Sequence, residues 1–255
     1  MLLQKMQFLT TFEPLFNFQG IFRKSNAVNM NKRITAIFVS IWMIAHPAFA
    51  QQQPMPASPN ADAYKPAKSR IGLKAGLNFS TVTGTTSSIK PGNKTGFMVA
   101  GFFSPASSGI FGYRTELVFS SQGFAYDAEG KKEEVTQNYL FLPQLTTLTI
   151  AKKVQLQAGA QIGFLLNAKT SAQQNGSTGN SDISSLFNRI DYGFAGGIEV
   201  YPFKGLLIGG RYNISFGDLY KSQSVSSGSG YPLPFDPSSF KGKNAVIQFF
   251  AGYRF

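Results

Sequence analysis

The sequence has no cysteine. That excludes disulfides, thiolate metal sites, thiol nucleophiles and a lipidated cysteine anchor. It has one histidine, His46, inside an apolar leader-like segment. The rest of the chain therefore offers no imidazole base for a Ser–His or Asp–His hydrolase and no imidazole metal ligand. Long apolar runs are also missing. The run from Ile34 to Ala45 is shorter than the about 20 residues a membrane-crossing helix needs. Charged residues make up only 14% of the chain.

What is present is aromatic and small. There are 25 Phe and 26 Gly, a balance that suits membrane-embedded β-structure better than a cytosolic enzyme. Lys and Arg number 24 against 12 Asp and Glu. The basic residues are scattered at turns and loop edges, which suits solvent or lipid phosphates rather than a nucleic-acid footprint. Gly193-x-x-Gly196-Gly197 has no following helix and is read as close packing, not a nucleotide site.

The chain divides into four stretches. Residues 30–50 carry a basic start (Lys32, Arg33), the apolar run and Ala48-Phe49-Ala50, the pattern of a secretory signal cleaved after Ala50. Residues 1–29 are then read as an upstream extension, with translation starting at Met30. Residues 51–70 hold four prolines and no apolar periodicity, which predicts a disordered periplasmic linker. From Ile71 onward apolar residues recur with period two.

That period predicts eight strands, over 71–80, 95–104, 111–120, 138–150, 154–166, 191–200, 206–217 and 244–255. The run 154–166 shows the pattern best. Val154, Leu156, Ala158, Ala160, Ile162, Phe164 and Leu166 share one face, and Gln155, Gln157, Gly159, Gln161 and Gly163 the other. Pro143 cannot donate a ladder hydrogen bond and predicts a local bulge. The connections alternate long and short. Long loops are expected at 83–93, 123–137, 167–189 and 218–242, and short turns at 104–109, 151–153 and 202–205. This is the asymmetry of an outer-membrane barrel. The fold class is thus all-β, an eight-stranded antiparallel up-and-down transmembrane β-barrel over 71–255.

Facing assigns the candidate residues. The apolar faces look outward, and the opposite faces carry Gly, Gln and seven charges: Lys74, Arg114, Glu116, Asp191, Glu199, Arg211 and Arg254. Burial demands pairing, so these are expected to form a structural interior network. Tyr113, Tyr139, Tyr192, Tyr201, Tyr212 and Tyr253 are expected at strand ends or outward faces, as interfacial girdles. Tyr253 and Phe255 end the last strand as a membrane-insertion terminus. In the last long loop, Tyr231, Leu233, Phe235 and Phe240 could contact a partner or cap the barrel mouth. Asp127, Glu129, Glu133 and Glu134 match no calcium-loop spacing and are read as a solvated loop.

Five segments carry a family resemblance: IGLKAGLNFS, LQAGAQIGFLLNAK, DYGFAGGIEV, RYNISFGDLY and NAVIQFFAGYRF. In order and spacing they resemble the PorT-like outer-membrane β-barrel family across roughly 71–255. The resemblance implies an eight-stranded barrel in the outer membrane. The family pattern usually has an acidic residue where Phe141 stands, so strand four is read without a charge for the interior.

The expected function is that of a non-enzymatic outer-membrane barrel, structural or partner-binding through its extracellular loops, with no cofactor and no metal. Its expected partners are outer-membrane lipid, the barrel-insertion machinery acting on Phe255, and a protein or glycan at the long loops, with no nucleic acid. Alternatives are a small-solute channel and a soluble periplasmic barrel holding an apolar ligand.

Overall fold

A computed structural model describes residues 68–85, 91–128, 131–151, 153–171, 181–221 and 241–255, all in the unit Lys65–Phe255. The upstream extension, the signal, most of the linker, and the loop residues Tyr231, Leu233, Phe235 and Phe240 lie outside the described residues.

Among the described residues there are eight long strands: β1 (Arg70–Thr85), β2 (Lys94–Ser104), β3 (Phe111–Ala128), β4 (Lys131–Ile150), β5 (Val154–Thr170), β7 (Ile190–Val200), β8 (Leu206–Ser215) and β9 (Lys241–Arg254). A two-residue β6 (Ser181–Asp182) and a 3-10 turn (Ser184–Leu186) lie between β5 and β7. Each long strand pairs antiparallel with its neighbours, β4 pairs with β5, and β9 pairs with β1, so the eight close into a ring. Closure leaves no open sheet edge, the condition for a sheet in lipid.

Alternation sorts the side chains. On β1, Ile71, Leu73, Leu77 and Phe79 are exposed, whereas Lys74, Asn78 and Ser80 are buried. From Ile71 to Phe79 is roughly 26 Å along the strand at about 3.3 Å per residue, enough for an apolar band about 25 Å tall. The exposed apolar row continues around the ring through Phe97, Leu117, Phe164, Phe194, Ile208 and Phe249. In water such a surface would drive association; lipid solvates it.

Several details depart from the sequence reading. Residues 123–137 are not a loop: β3 and β4 run on as a hairpin through Ala128 and Lys131. The run of charges hid the alternation of Phe124, Tyr126, Val135 and Gln137, all of which are buried. Pro143 makes no bulge. It pairs with Gln161 in the regular β4–β5 register, and the β3–β4 ladder skips Glu116 and Leu117 opposite it while keeping the same register on either side. The missing N–H thus removes hydrogen bonds without inserting a residue. The irregularity of β4–β5 falls instead at Asn138/Tyr139, where Leu166 is the extra residue on β5. Tyr139 and Tyr201 are buried inside the ring and are not girdle residues. Tyr113, Tyr192, Tyr212 and Tyr253 are exposed.

The tall hairpin depends on Gly123. Its φ is +151°, and a Cβ there would lie 1.9 Å from the Val135 carbonyl oxygen. Gly123→Ala is expected to destabilise the barrel by about 1–3 kcal/mol, read as a lower urea midpoint for the compact band on unheated SDS gels. Gly101→Ala is the control: a Cβ there meets only a Leu73 methyl at 3.7 Å, and the midpoint should stay put.

Candidate functional site

The bore is built in three levels. Nearest the short turns is a chain of alternating charges. Arg211 forks onto Glu116 through two bonds, 2.7 Å to Oε2 and 2.9 Å to Oε1. Lys74 Nζ donates to Glu116 Oε1 at 2.8 Å and to Glu199 Oε1 at 3.4 Å. Arg114 Nη1 donates to Glu199 Oε2 at 2.6 Å. The order is Arg211–Glu116–Lys74–Glu199–Arg114, and every member is buried. Arg114 also donates to Ser104, Gln155 and Tyr201, and Arg211 to Gln157.

Local sequence makes room for these long side chains. Gly252 stands beside Lys74, where a Cβ would sit 2.6 Å from the lysine Cβ, and Gly197 stands beside Arg211, with 2.9 Å to its Cα. Two rings lie among the cations. Lys74 Nζ is 4.3 Å from the centroid of Phe250, and the Arg114 guanidinium is 4.3 Å from that of Phe102. Cation–π contacts of this kind contribute about 0.5–2 kcal/mol each.

The second level is polar, made mostly of amides and hydroxyls. Asn78 Nδ2 donates to Ser120 Oγ and to the carbonyls of Phe97 and Ser121, and Gln248 donates to Asn78 Oδ1. A cavity of about 10 Å³ lies here, bordered by Arg211, Gln122, Gln161, Asn213, Ser215 and Gln248, with Val118, Phe141, Pro143 and Val246 completing its wall. That is the room of about one water molecule.

The third level is apolar and closes the end with the long loops. Ile183, Leu186, Phe187, Leu219 and Tyr220 are buried in one apolar cluster that includes Phe124 and Val135. The Phe187 and Tyr220 rings meet at 4.5 Å. Asn188 Nδ2 ties the two loop segments together by donating to the carbonyls of Asp218 and Tyr220. Asp182 Oδ1 accepts from the Ser184 backbone N–H at 2.8 Å, starting the 3-10 turn. Hydrogen bonds from Ser184, side chain and backbone, hold the Asp182 carboxyl below its ordinary range.

Of the seven charges singled out in the sequence, five form the chain just described and two do not. Asp191 lies eight residues up β7 from Glu199, roughly 26 Å of strand. It accepts instead from Ser215 Oγ (2.7 Å) and Asn244 Nδ2 (3.3 Å). Arg254 is half-buried at the short-turn end, with its guanidinium 4.0 Å from the centroid of the Tyr201 ring. Tyr253 and Phe255 lie exposed on the outer face, their rings 5.2 Å apart. Phe141 is buried and stacks on Tyr139 at 5.2 Å. In the tall hairpin, Glu133 accepts from Tyr126 and Glu134 pairs with Lys94. Among the described residues no group of three or more His, Asp or Glu could hold a metal. The sequence reading missed the capping residues; their signal was apolar clustering (Ile183, Leu186, Phe187) within an otherwise polar connection.

Three substitutions probe these levels and their surroundings. Glu116→Gln strips Arg211 and Lys74 of a shared buried partner and should cost about 3–5 kcal/mol, against about 1 kcal/mol for Glu134→Gln, whose pair with Lys94 is only part-buried. Urea midpoints on unheated gels compare them. Phe187→Ala should cost about 3–5 kcal/mol locally and expose residues 181–189 to added protease in intact membranes.

No curated protein matches the sequence. Solved structures similar to the chain include the attachment invasion locus protein Ail of Yersinia pestis (17% identity, 74% of this chain and 99% of that one, TM-score 0.42). A major outer membrane protein of Thermus thermophilus is similar at 15% identity, covering 73% and 99%, with a TM-score of 0.41. The outer membrane protein OprG of Pseudomonas aeruginosa is similar at 12% identity, covering 74% and 97%, with a TM-score of 0.40. The family described as "Outer membrane protein beta-barrel domain" matches residues 49–221, more than half of the chain. With the closed ring and its apolar outer band, this places the protein in the outer membrane, and the chain belongs to the outer membrane protein beta-barrel domain family.

Proposed function

We propose that this barrel acts without catalysis, as a structural or partner-binding component whose working surface is the long-loop end. One observation carries the reading: among the described residues the bore is filled at every level, by paired charges, by amides and by an apolar cap. The cavity beside Arg211 has room for about one water. A protein that passes solute needs a continuous polar path, and the cap interrupts it. By the asymmetry of such barrels the short turns face the periplasm and the long loops the exterior. The tall β3–β4 hairpin and the capped mouth are then what a protein or glycan partner meets.

Three finer readings rest on the sequence. Residues 30–50 act as a Sec-type signal, giving a working chain of 51–255. Phe255, at the end of the exposed row Phe249, Tyr253, Phe255, is read by the insertion machinery. The five quoted segments support PorT-like kinship; a secretion role does not follow from fold likeness.

Planar bilayers test the proposal. The purified chain should give no conductance steps above the empty membrane. Reproducible steps that persist on washing would establish a channel and end the reading. Unheated and heated SDS gels of the same sample should differ in mobility, which certifies that a folded barrel was tested.

A further inference from the structure

Charge is distributed unevenly between the two ends of the barrel. At the long-loop end the signs are mixed, with Asp127, Glu133, Glu134, Asp182 and Asp218 standing among lysines. The short-turn end is of one sign. Its described residues are 68–70, 104–110, 150–151, 153–154, 201–205 and 254–255. Their charged side chains are Lys68, Arg70, Lys153, Lys204 and Arg254, with no Asp or Glu. The α-carboxylate at Phe255 offsets one of them. The side-chain acids next along the strands, Glu116 and Glu199, are buried in the bore and already shared by Lys74, Arg114 and Arg211. Among the described residues none of the five end cations has an ion-pair partner. Like charges held side by side repel, and an anion from outside relieves them.

Backbone bonds hold four of these cations in one arc. The Tyr201 N–H donates to the Lys153 carbonyl at 2.8 Å, joining the β4–β5 turn to the β7–β8 turn that carries Lys204. The Arg254 N–H donates to the carbonyl of Gly205, next to Lys204, at 2.7 Å, and the Phe255 N–H to that of Ile71, next to Arg70, at 2.9 Å. The arc thus runs Lys153, Lys204, Arg254, Arg70 along the rim to the seam between β9 and β1. Exposed apolar side chains accompany it. Phe203 adjoins Lys204, Tyr253 and Phe255 flank Arg254, and Ile71 adjoins Arg70. Lys153 bonds back to the carbonyl of the exposed Ile150. Gly205, at φ +85°, leaves room for the Tyr253 ring, which a Cβ there would meet at 2.5 Å. An exposed ring beside a cation suits the membrane interface, with the ring among the headgroups and the cation at their phosphates. A cell-wall polymer of sugar and peptide would leave those rings without contact. We propose that this arc binds the phosphates of anionic phospholipids in the periplasmic leaflet, so that the barrel gathers such lipids around its short-turn end. The proposal rests on the reading that the short turns face the periplasm.

The test uses the full chain folded in neutral detergent. It is titrated with phosphatidylglycerol or, separately, with phosphatidylcholine, and bound lipids are counted by native mass spectrometry. Phosphatidylglycerol is expected to bind about tenfold or more tightly, since each cation near an anionic headgroup adds a several-fold factor. The triple change Arg70→Gln, Lys153→Gln and Lys204→Gln, all at exposed positions, should remove that preference. The triple change Lys169→Gln, Lys241→Gln and Lys243→Gln alters net charge equally at the other end and should keep it. A mobility shift on heating certifies that each variant is folded. If the first triple does not fold, the two lipids on the unmodified chain still decide. Equal binding of the two lipids would overturn the proposal, and loss of the preference in both triples would reduce it to bulk charge and overturn it too. Retention on isolated cell walls, lost in the first triple alone and without a lipid preference, would give the arc to that polymer instead. Orientation is read separately. The chain has no cysteine, so Lys204→Cys is a single reporter for an impermeant maleimide. It should stay unlabelled in intact cells and react once the outer membrane is opened. Labelling in intact cells would overturn the periplasmic placement, whatever the lipid preference in detergent.

Discussion

Pairing of charge in a medium that cannot solvate it governs this molecule. Lipid surrounds the wall and side chains fill the bore, so an ion placed inward has only other side chains to answer it. Glu116 and Glu199 do so by each bridging two cations. In doing so they pin β1, β3, β7 and β8 to one another across the interior, which ladder bonds between adjacent strands cannot do. The register of the strands is tied to that bracing, because a one-residue slip would turn the charges into lipid.

The levels above are graded in polarity. Paired charges sit nearest the short turns, amides and the lone carboxylate Asp191 further up, and apolar loop residues at the far end. The grading also explains why such a barrel needs no disulfide: the ring supplies the backbone bonds, and the filled bore supplies cross-links among side chains.

The fold was largely legible in the sequence, because alternation with period two is a direct statement of which side chains meet lipid. The inward set at Lys74, Arg114, Glu116, Glu199 and Arg211 could be read the same way. Height along the barrel could not. Asp191 and Glu199 share a face of β7, yet only one reaches the ion chain, since periodicity fixes direction and says nothing of distance across the bore. Tyr139 and Tyr201 misled for a related reason: a tyrosine near a strand end reads as interfacial whichever way it points. The hairpin at 123–137 was masked by its own charges, which imitate a solvated loop. The cap stayed hidden because Phe187 and Tyr220 are brought together by two separate connections.

The ion chain also bears on how the barrel forms. Its contacts join residues 42, 125, 85 and 95 positions apart, so none arises from a local hairpin. Topology of that kind slows folding, because distant segments must meet before any contact rewards them. Until β9 has met β1, the five charges lack the enclosure that holds them together, and a half-closed sheet would carry them bare toward hydrocarbon. The bore must therefore stay wet through insertion and dry only as the seam shuts, which makes closure a single late and cooperative event.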